Sequence, residues 1–172
     1  MEKLIKKAIK DVPDFPKPGI IFKDLMPVFG DGKMLRKMTD FLAKRYKTKK
    51  IGAVVCCEAR GFLVGAPLAY RLGVPLVPVR KQGKLPRAVY RVSYDLEYGS
   101  NTLELHRDAL KKGQKVLIID DLLATGGTVE AAARLVEKCG AKVGELAFIV
   151  ELDFLKGRDR LKKYKVYSIA RY

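Results

Sequence analysis

Val116-Leu117-Ile118-Ile119-Asp120-Asp121-Leu122-Leu123-Ala124-Thr125-Gly126-Gly127-Thr128 decides how this chain is read. The aliphatic run from Val116 to Ile119 is the signature of a strand buried on both faces, and such strands belong to parallel sheets covered by helices. The strand delivers two adjacent carboxylates, Asp120 and Asp121, to its carboxyl end, where open α/β sheets place their ligands. A small, hydroxyl-bearing loop follows and opens onto a helix predicted from Thr128 to Cys139 and closed by Gly140. A helix's first turn carries unpaired N–H groups and the positive end of the dipole, so this loop is suited to cradle a phosphate. Thr125 and Thr128 add hydroxyls, while Gly126 and Gly127 let the backbone approach closely. No Gly-Lys-Ser/Thr follows, which excludes a Walker A loop. A helix merely capped by Thr128 would account for the glycines. It would not account for paired acids at a buried strand end, which require partners such as sugar hydroxyls or a metal.

The same alternation recurs upstream. Ile51 to Val55 reads as a buried strand, Glu58-Ala59-Arg60-Gly61 as a loop, Phe62 to Leu72 as a helix stopped by Gly73, and Pro75 to Val79 as a further strand. Val143 to Val150 is a strong strand after the second helix. Two such β-α-β units predict an α/β fold: a mainly parallel, twisted sheet flanked by helices. Between the units, Ala88 to Tyr94 and Thr102 to His106 alternate as a hairpin around Gly99-Ser100-Asn101, so residues 88–106 are a candidate flexible flap. Leu4, Ile5, Ala8 and Ile9 share a helical face; Pro13, Pro16 and Pro18 then impose an extended arm ending near Gly19, and Met34, Leu35, Met38, Phe41 and Leu42 mark another helix. Without repeats or a Gly/Ser linker, residues 1–172 read as a single domain, with 1–30 as an N-terminal arm or hood.

Composition narrows the function classes. With 172 residues, 48% of them hydrophobic, the chain has material for a core without disulfides or a structural metal. No stretch approaches the roughly 18 apolar residues of a membrane span, and Met1 to Lys10 lacks a signal-peptide core, so neither membrane insertion nor export is expected. Cys56, Cys57 and Cys139 are odd in number, lack Cys-x-x-Cys spacing and have one histidine, His106, beside them, which argues against a disulfide framework and a zinc site and for a reducing, cytoplasmic setting. The net charge of +16 is uneven: between Phe41 and Tyr94 the single acid is Glu58, against twelve basic residues. Such a half-molecule suits a solvated surface, a nucleic acid or a highly phosphorylated small substrate, and charge alone leaves these open.

The Asp120–Thr128 stretch resembles the phosphoribosyl-pyrophosphate signature of type I phosphoribosyltransferases, in the form found in the adenine phosphoribosyltransferase family. Four further segments resemble that family in order: Val12 to Asp24 its N-terminal arm, Glu58 to Phe62 its pyrophosphate loop, Val79 to Pro86 its basic loop, and Leu96 to Gly99 its hood. The resemblance implies conversion of adenine and phosphoribosyl pyrophosphate into AMP and pyrophosphate, in a homodimer, with Mg2+ held mainly through substrate oxygens. It implies that Asp120 and Asp121 hold the ribose hydroxyls, that Ala124, Thr125, Gly126, Gly127 and Thr128 hold the 5′-phosphate, and that Glu58, Ala59, Arg60, Arg80, Lys81 and Lys84 hold pyrophosphate. Glu97 matches the acid/base carboxylate, Tyr98 a hood residue over the ribose, and Phe22, Lys23 and Leu155 the adenine pocket. The resemblance further implies a cis peptide between Glu58 and Ala59. Cys56 departs from the pattern, which carries a small residue there, usually glycine.

Two rival readings stand beside this one. A phosphoribosyltransferase for another purine is opposed by the wording of Ala124 to Thr128. A nucleic-acid-binding regulator on the same fold is motivated by the charge and opposed by the retention of Glu97 and both aspartates, and by the lack of an appended helix-turn-helix.

Overall fold

Residues that alternate along a strand reach opposite faces of a sheet, and here both faces are apolar. The computed structural model describes residues 1–95 and 100–172. Its elements run α1 (Glu2–Ala8), β1 (Lys10–Pro13), β2 (Ile21–Asp24), α2 (Met26–Gly30), α3 (Gly32–Tyr46), β3 (Ala53–Cys57), α4 (Gly61–Leu72), β4 (Leu76–Lys81), β5 (Val89–Asp95), β6 (Ser100–His106), β7 (Lys115–Leu123), α5 (Gly127–Lys138), β8 (Lys142–Glu151), two 3-10 turns (Asp153–Leu155 and Gly157–Leu161) and β9 (Val166–Arg171).

Seven strands form one sheet in the order β5-β6-β4-β3-β7-β8-β9, and β1 and β2 make a separate two-stranded ribbon. The pairs β3·β4, β3·β7, β7·β8 and β8·β9 are parallel, while the β5·β6 hairpin and its junction with β4 are antiparallel. This is the expected α/β class. Val55, Cys57, Val116, Ile118 and Phe148 pack beneath Val129, Ala132 and Val136 of α5 on one face. Val54, Cys56, Leu117, Ile119 and Ile149 pack against Ile5, Met38, Leu42, Val64 and Leu68 of α1, α3 and α4 on the other. From β3 the chain crosses through α4 to β4 on one side, and from β7 through α5 to β8 on the other, so the strand order reverses between β3 and β7. Crevices at such a reversal are where open α/β sheets bind ligands.

Several boundaries differ from the sequence reading. β3 starts at Ala53 rather than Ile51, because pairing to β7 begins with Ala53 opposite Val116. β4 extends through Arg80 and Lys81, which pair with Glu104 and Leu103 of β6, so these two cations stand on a strand and not in the loop after it. β7 runs on to Leu123 through continued pairing with β8, placing Asp120 and Asp121 within the strand. Ser100 and Asn101, expected in the hairpin turn, are β6 residues opposite Asp95 and Tyr94. The ribbon of β1 and β2 occupies the arm expected to be merely extended, and its tip contains a cis Phe15–Pro16 bond.

Candidate active site

The loops after β3 and β7 converge on a cavity of about 280 Å³ lined by Glu58, Ala59, Arg60, Asp120 to Val129 and Phe148. Ten residues expected to bind substrate therefore share one space: Glu58, Ala59, Arg60, Asp120, Asp121, Ala124, Thr125, Gly126, Gly127 and Thr128. Arg80, Lys81, Lys84, Phe22, Lys23 and Leu155 are not among its lining residues. Glu97 and Tyr98 lie outside the described residues.

Asp121 is 4% exposed at its side chain, and Arg60 Nε lies 2.8 Å from its Oδ2. That oxygen has no aligned hydrogen bond, so the pair is an ionic contact with acceptor capacity left for a ligand. Burial raises the Asp121 carboxyl above its ordinary range, and Arg60 opposes the rise. Asp120 accepts the Asp121 N–H at 2.9 Å through Oδ1. Burial, then the neighbouring Asp121 charge, push Asp120 well above the usual carboxylate range. Two adjacent acids, Asp121 buried and Asp120 half-buried, with one cation against Asp121, make a surface that suits hydroxyl donors or a hard cation. Among the described residues no cluster of three or more His, Cys, Asp or Glu is placed to hold a metal, so a divalent ion here would need oxygens from a substrate as well.

Arg60 is fed into the cavity by a loop whose Glu58–Ala59 peptide is cis. Glu58 does not direct its carboxylate at an anion. Its Oε1 accepts the Lys81 N–H at 2.9 Å and its Oε2 accepts Arg80 Nε at 2.7 Å. Burial alone would raise the Glu58 carboxyl, but the Lys81 N–H and Arg80 hold it below its ordinary value. Arg80 also donates to the Lys84 carbonyl at 3.3 Å. Glu58 thus ties the loop after β3 to the basic segment that starts on β4. Glu104, 1% exposed, buttresses that segment from β6 by accepting the Gly83 N–H at 3.0 Å and Arg91 Nε at 2.6 Å. Sequence reading missed Glu104, because a lone acid in an alternating strand carries no local signal.

The loop between β7 and α5 rests on the segment that carries Leu155. A methyl on Gly126, at φ +85°, would sit 2.7 Å from the Gly157 carbonyl oxygen, and one on Gly157 would overlap the Ala124 carbonyl oxygen. Only glycine allows backbones this close. Arg158 clamps the Gly157 segment by donating to both oxygens of buried Glu151, at 2.5 and 2.7 Å, and Ser168 adds a bond at 2.6 Å. Burial would raise Glu151, but Arg158 and Ser168 keep it below its ordinary value. Leu155 itself is at the surface. On the ribbon, Phe22 packs edge-on to Phe15 at 5.1 Å between ring centroids and lies 6.0 Å from the Arg60 guanidinium, which brings it toward the cavity mouth. Lys23 donates to both oxygens of Asp11, at 2.7 and 2.8 Å, and its amine sits over the Tyr172 ring.

Comparison with known proteins agrees with this geometry. The model of the phosphoribosyl transferase domain matches residues 30–170. An adenine phosphoribosyltransferase of Chloroflexus aurantiacus is 55% identical over 98% of this chain and 97% of its own. The crystal structure of adenine phosphoribosyltransferase from Thermoanaerobacter pseudethanolicus superposes with a TM-score of 0.95 at 50% identity, covering 100% of both chains. The enzyme from Saccharomyces cerevisiae, complexed with an imino-altritol bisphosphate and adenine, superposes with a TM-score of 0.92 at 41% identity, covering 98% of this chain and 97% of the other. With a parallel sheet that reverses between β3 and β7, paired acids on β7 and a glycine-threonine loop at the head of α5, the chain belongs to the adenine phosphoribosyltransferases of the type I phosphoribosyltransferase family.

Proposed function

We propose that the chain transfers the 5-phosphoribosyl group of phosphoribosyl pyrophosphate to adenine, giving AMP and pyrophosphate, through the residues assembled at this cavity. The observation that carries the reading is the meeting of Arg60, Asp120, Asp121 and the Ala124–Thr128 loop in one space. In this reading the N–H groups and hydroxyls of Ala124 to Thr128 take the 5′-phosphate, Asp120 and Asp121 take the ribose hydroxyls, and Glu58-Ala59-Arg60 with Arg80, Lys81 and Lys84 take pyrophosphate. The anomeric carbon loses its bond to pyrophosphate oxygen as it gains one to an adenine nitrogen, and Glu97 receives the proton that nitrogen sheds. Catalysis comes from aligning base and sugar and from stabilising the departing charge with fixed cations. Mg2+ would be held mainly by substrate oxygens, with Asp120 and Asp121 as the carboxylates of its surroundings, and would neutralise part of the pyrophosphate charge. Phe22, Lys23 and Leu155 line adenine, and Tyr98 covers the ribose.

Residues 1–172 act as one phosphoribosyltransferase unit, with 1–30 as its hood and 88–106 as its flap. Homodimerisation is supported by the exposed apolar side chains of Leu63, Tyr70 and Leu76 along α4 and the start of β4. A cytoplasmic setting is supported by three unpaired thiols, and no helix among the described residues is long and apolar enough to cross a membrane. Part of the charge that suggested nucleic acid is neutralised internally: Arg45 and Lys49 each lie 3.0 Å from the Glu145 carboxylate. The test is pyrophosphate release from phosphoribosyl pyrophosphate and Mg2+ across a panel of bases. Adenine is expected to react at least about tenfold more efficiently than hypoxanthine or guanine, because a pocket that pairs a 6-amino group leaves polar groups unpaired against a 6-oxo purine. Equal rates with hypoxanthine would overturn the assignment of the base; a salt-sensitive gel shift without turnover would overturn the enzyme reading.

A further inference from the structure

Tyr94 was not singled out by the sequence, yet it stands at the head of α5. A methyl on Gly127 would come within 3.2 Å of its ring, and its hydroxyl lies 3.0 Å from Thr128 Oγ1. The sheet fixes the residue from below, since Tyr94 pairs with Asn101 within the β5·β6 ladder. Thr128 lines the cavity. Either oxygen can supply the proton of this contact, and the phenol is the more acidic of the two; with Tyr94 donating, Thr128 accepts. The threonine proton is then left for another acceptor. Hydrogen bonds in series polarise one another, so accepting from a phenol makes Thr128 a better donor in turn.

We propose that Tyr94 is a positioning residue for the 5′-phosphate: its phenol O–H donates to Thr128 Oγ1, and the threonine O–H thereby points at a phosphate oxygen. This rests on reading Ala124 to Thr128 as the 5′-phosphate loop. The chemistry it serves is a phosphate monoester, so its effect belongs to AMP and phosphoribosyl pyrophosphate and not to adenine or adenosine.

The test uses the full chain, with AMP and adenosine titrated calorimetrically and steady-state kinetics in both substrates. Tyr94→Phe keeps the ring on Gly127 and removes only the hydroxyl. It is expected to weaken AMP binding and raise KM for phosphoribosyl pyrophosphate about five- to tenfold, the scale of one lost hydrogen bond, while kcat, KM for adenine and adenosine binding stay unchanged. Thr128→Val is expected to weaken AMP further, and adding Tyr94→Phe to it is expected to cost nothing more, because the tyrosine acts through the threonine. Thr128→Ser restores the hydroxyl, and in that background Tyr94→Phe is expected to regain its full effect. Unchanged AMP affinity in Tyr94→Phe, or additive losses in the pair with Thr128→Val, would overturn the proposal. If the unaltered protein bound AMP no better than adenosine, the reading of the loop itself would fall instead.

Discussion

Arg60 Nε lies 2.8 Å from Asp121 Oδ2, so the guanidinium carried by the loop after β3 offsets one of the two carboxylates on β7. Arg60 is 44% exposed at its side chain and Asp121 only 4%. The buried partner is therefore the one that depends on the contact. Arg60→Gln is expected to raise KM for phosphoribosyl pyrophosphate at least about tenfold, since a hydrogen bond to a charged group contributes about 1.5–3 kcal/mol. The sign of the pH effect follows from Asp121, which burial already raises and Arg60 holds down. Without the cation its carboxyl rises further, so its proton returns at higher pH than in the parent. The deficit in KM is expected to widen as pH falls; a pH-independent ratio between the two proteins would contradict this account.

Asp120 gives a prediction of opposite sign for stability. Its folded-state carboxyl is raised well above the unfolded value by burial and by Asp121. The native state therefore binds the proton more tightly than the unfolded chain, and stability declines as pH rises from about 3.9 toward the raised folded value. Asp120→Asn removes that decline. It is expected to stabilise the chain at neutral pH by about 1 kcal/mol, read as a higher melting temperature, while lowering activity at least about a hundredfold. Melting curves at acid and neutral pH check it: the gain must shrink toward acid, where the parent carboxyl is itself protonated.

Cys56 is accommodated by the absence of a neighbour's side chain. A methyl on Gly65 of α4 would meet Cys56 Sγ at 2.5 Å and its Cβ at 3.0 Å. Gly65→Ala is expected to destabilise the chain by about 1–3 kcal/mol through overpacking, and Cys56→Gly in the same chain is expected to recover most of that loss. Urea titrations of both single variants and the double variant give the coupling. The thiol is inert in this setting, since burial and then the Asp120 charge push it up to about 12, so thiol reagents are expected to leave the folded protein unmodified at Cys56.

Glu104 connects the hairpin to the basic segment through Gly83 and braces the hairpin itself through Arg91. Glu104→Ala leaves both donors without their acceptor and is expected to cost about 1–3 kcal/mol of stability and to raise KM for phosphoribosyl pyrophosphate several-fold. Glu104→Gln keeps an acceptor and is expected to retain most of both. If the alanine variant lost stability alone, the link between Glu104 and the cations of β4 would have no functional role.

Much of this architecture was legible because local rules and tertiary structure agree. The helix expected from Phe62 to Leu72 runs Gly61–Leu72 with Gly73 left-handed after it, and the one expected from Thr128 to Cys139 runs Gly127–Lys138. Strand ends were less legible, since Asp120, Asp121, Arg80 and Lys81 are polar and only their pairing partners keep them in the ladder. β1 and β2 escaped notice because the first is exposed at every position and the ribbon has no core-facing alternation to read. β9 escaped too, as its place is set by β8 alongside it. For the site, the residues in contiguous motifs were found, whereas Tyr94, Glu104 and Glu151 act on partners in other elements of the fold and leave no pattern in their own segments.

The contact between Gly126 and Gly157 limits how the two loops can move. Main chain pressed on main chain cannot yield by rotating a side chain, and Arg158 with Glu151 braces it from behind. The glycine-threonine loop and the stretch bearing Leu155 therefore shift together or not at all, so a substitution that displaces one backbone is felt at the other, as two plates pinned face to face move as one.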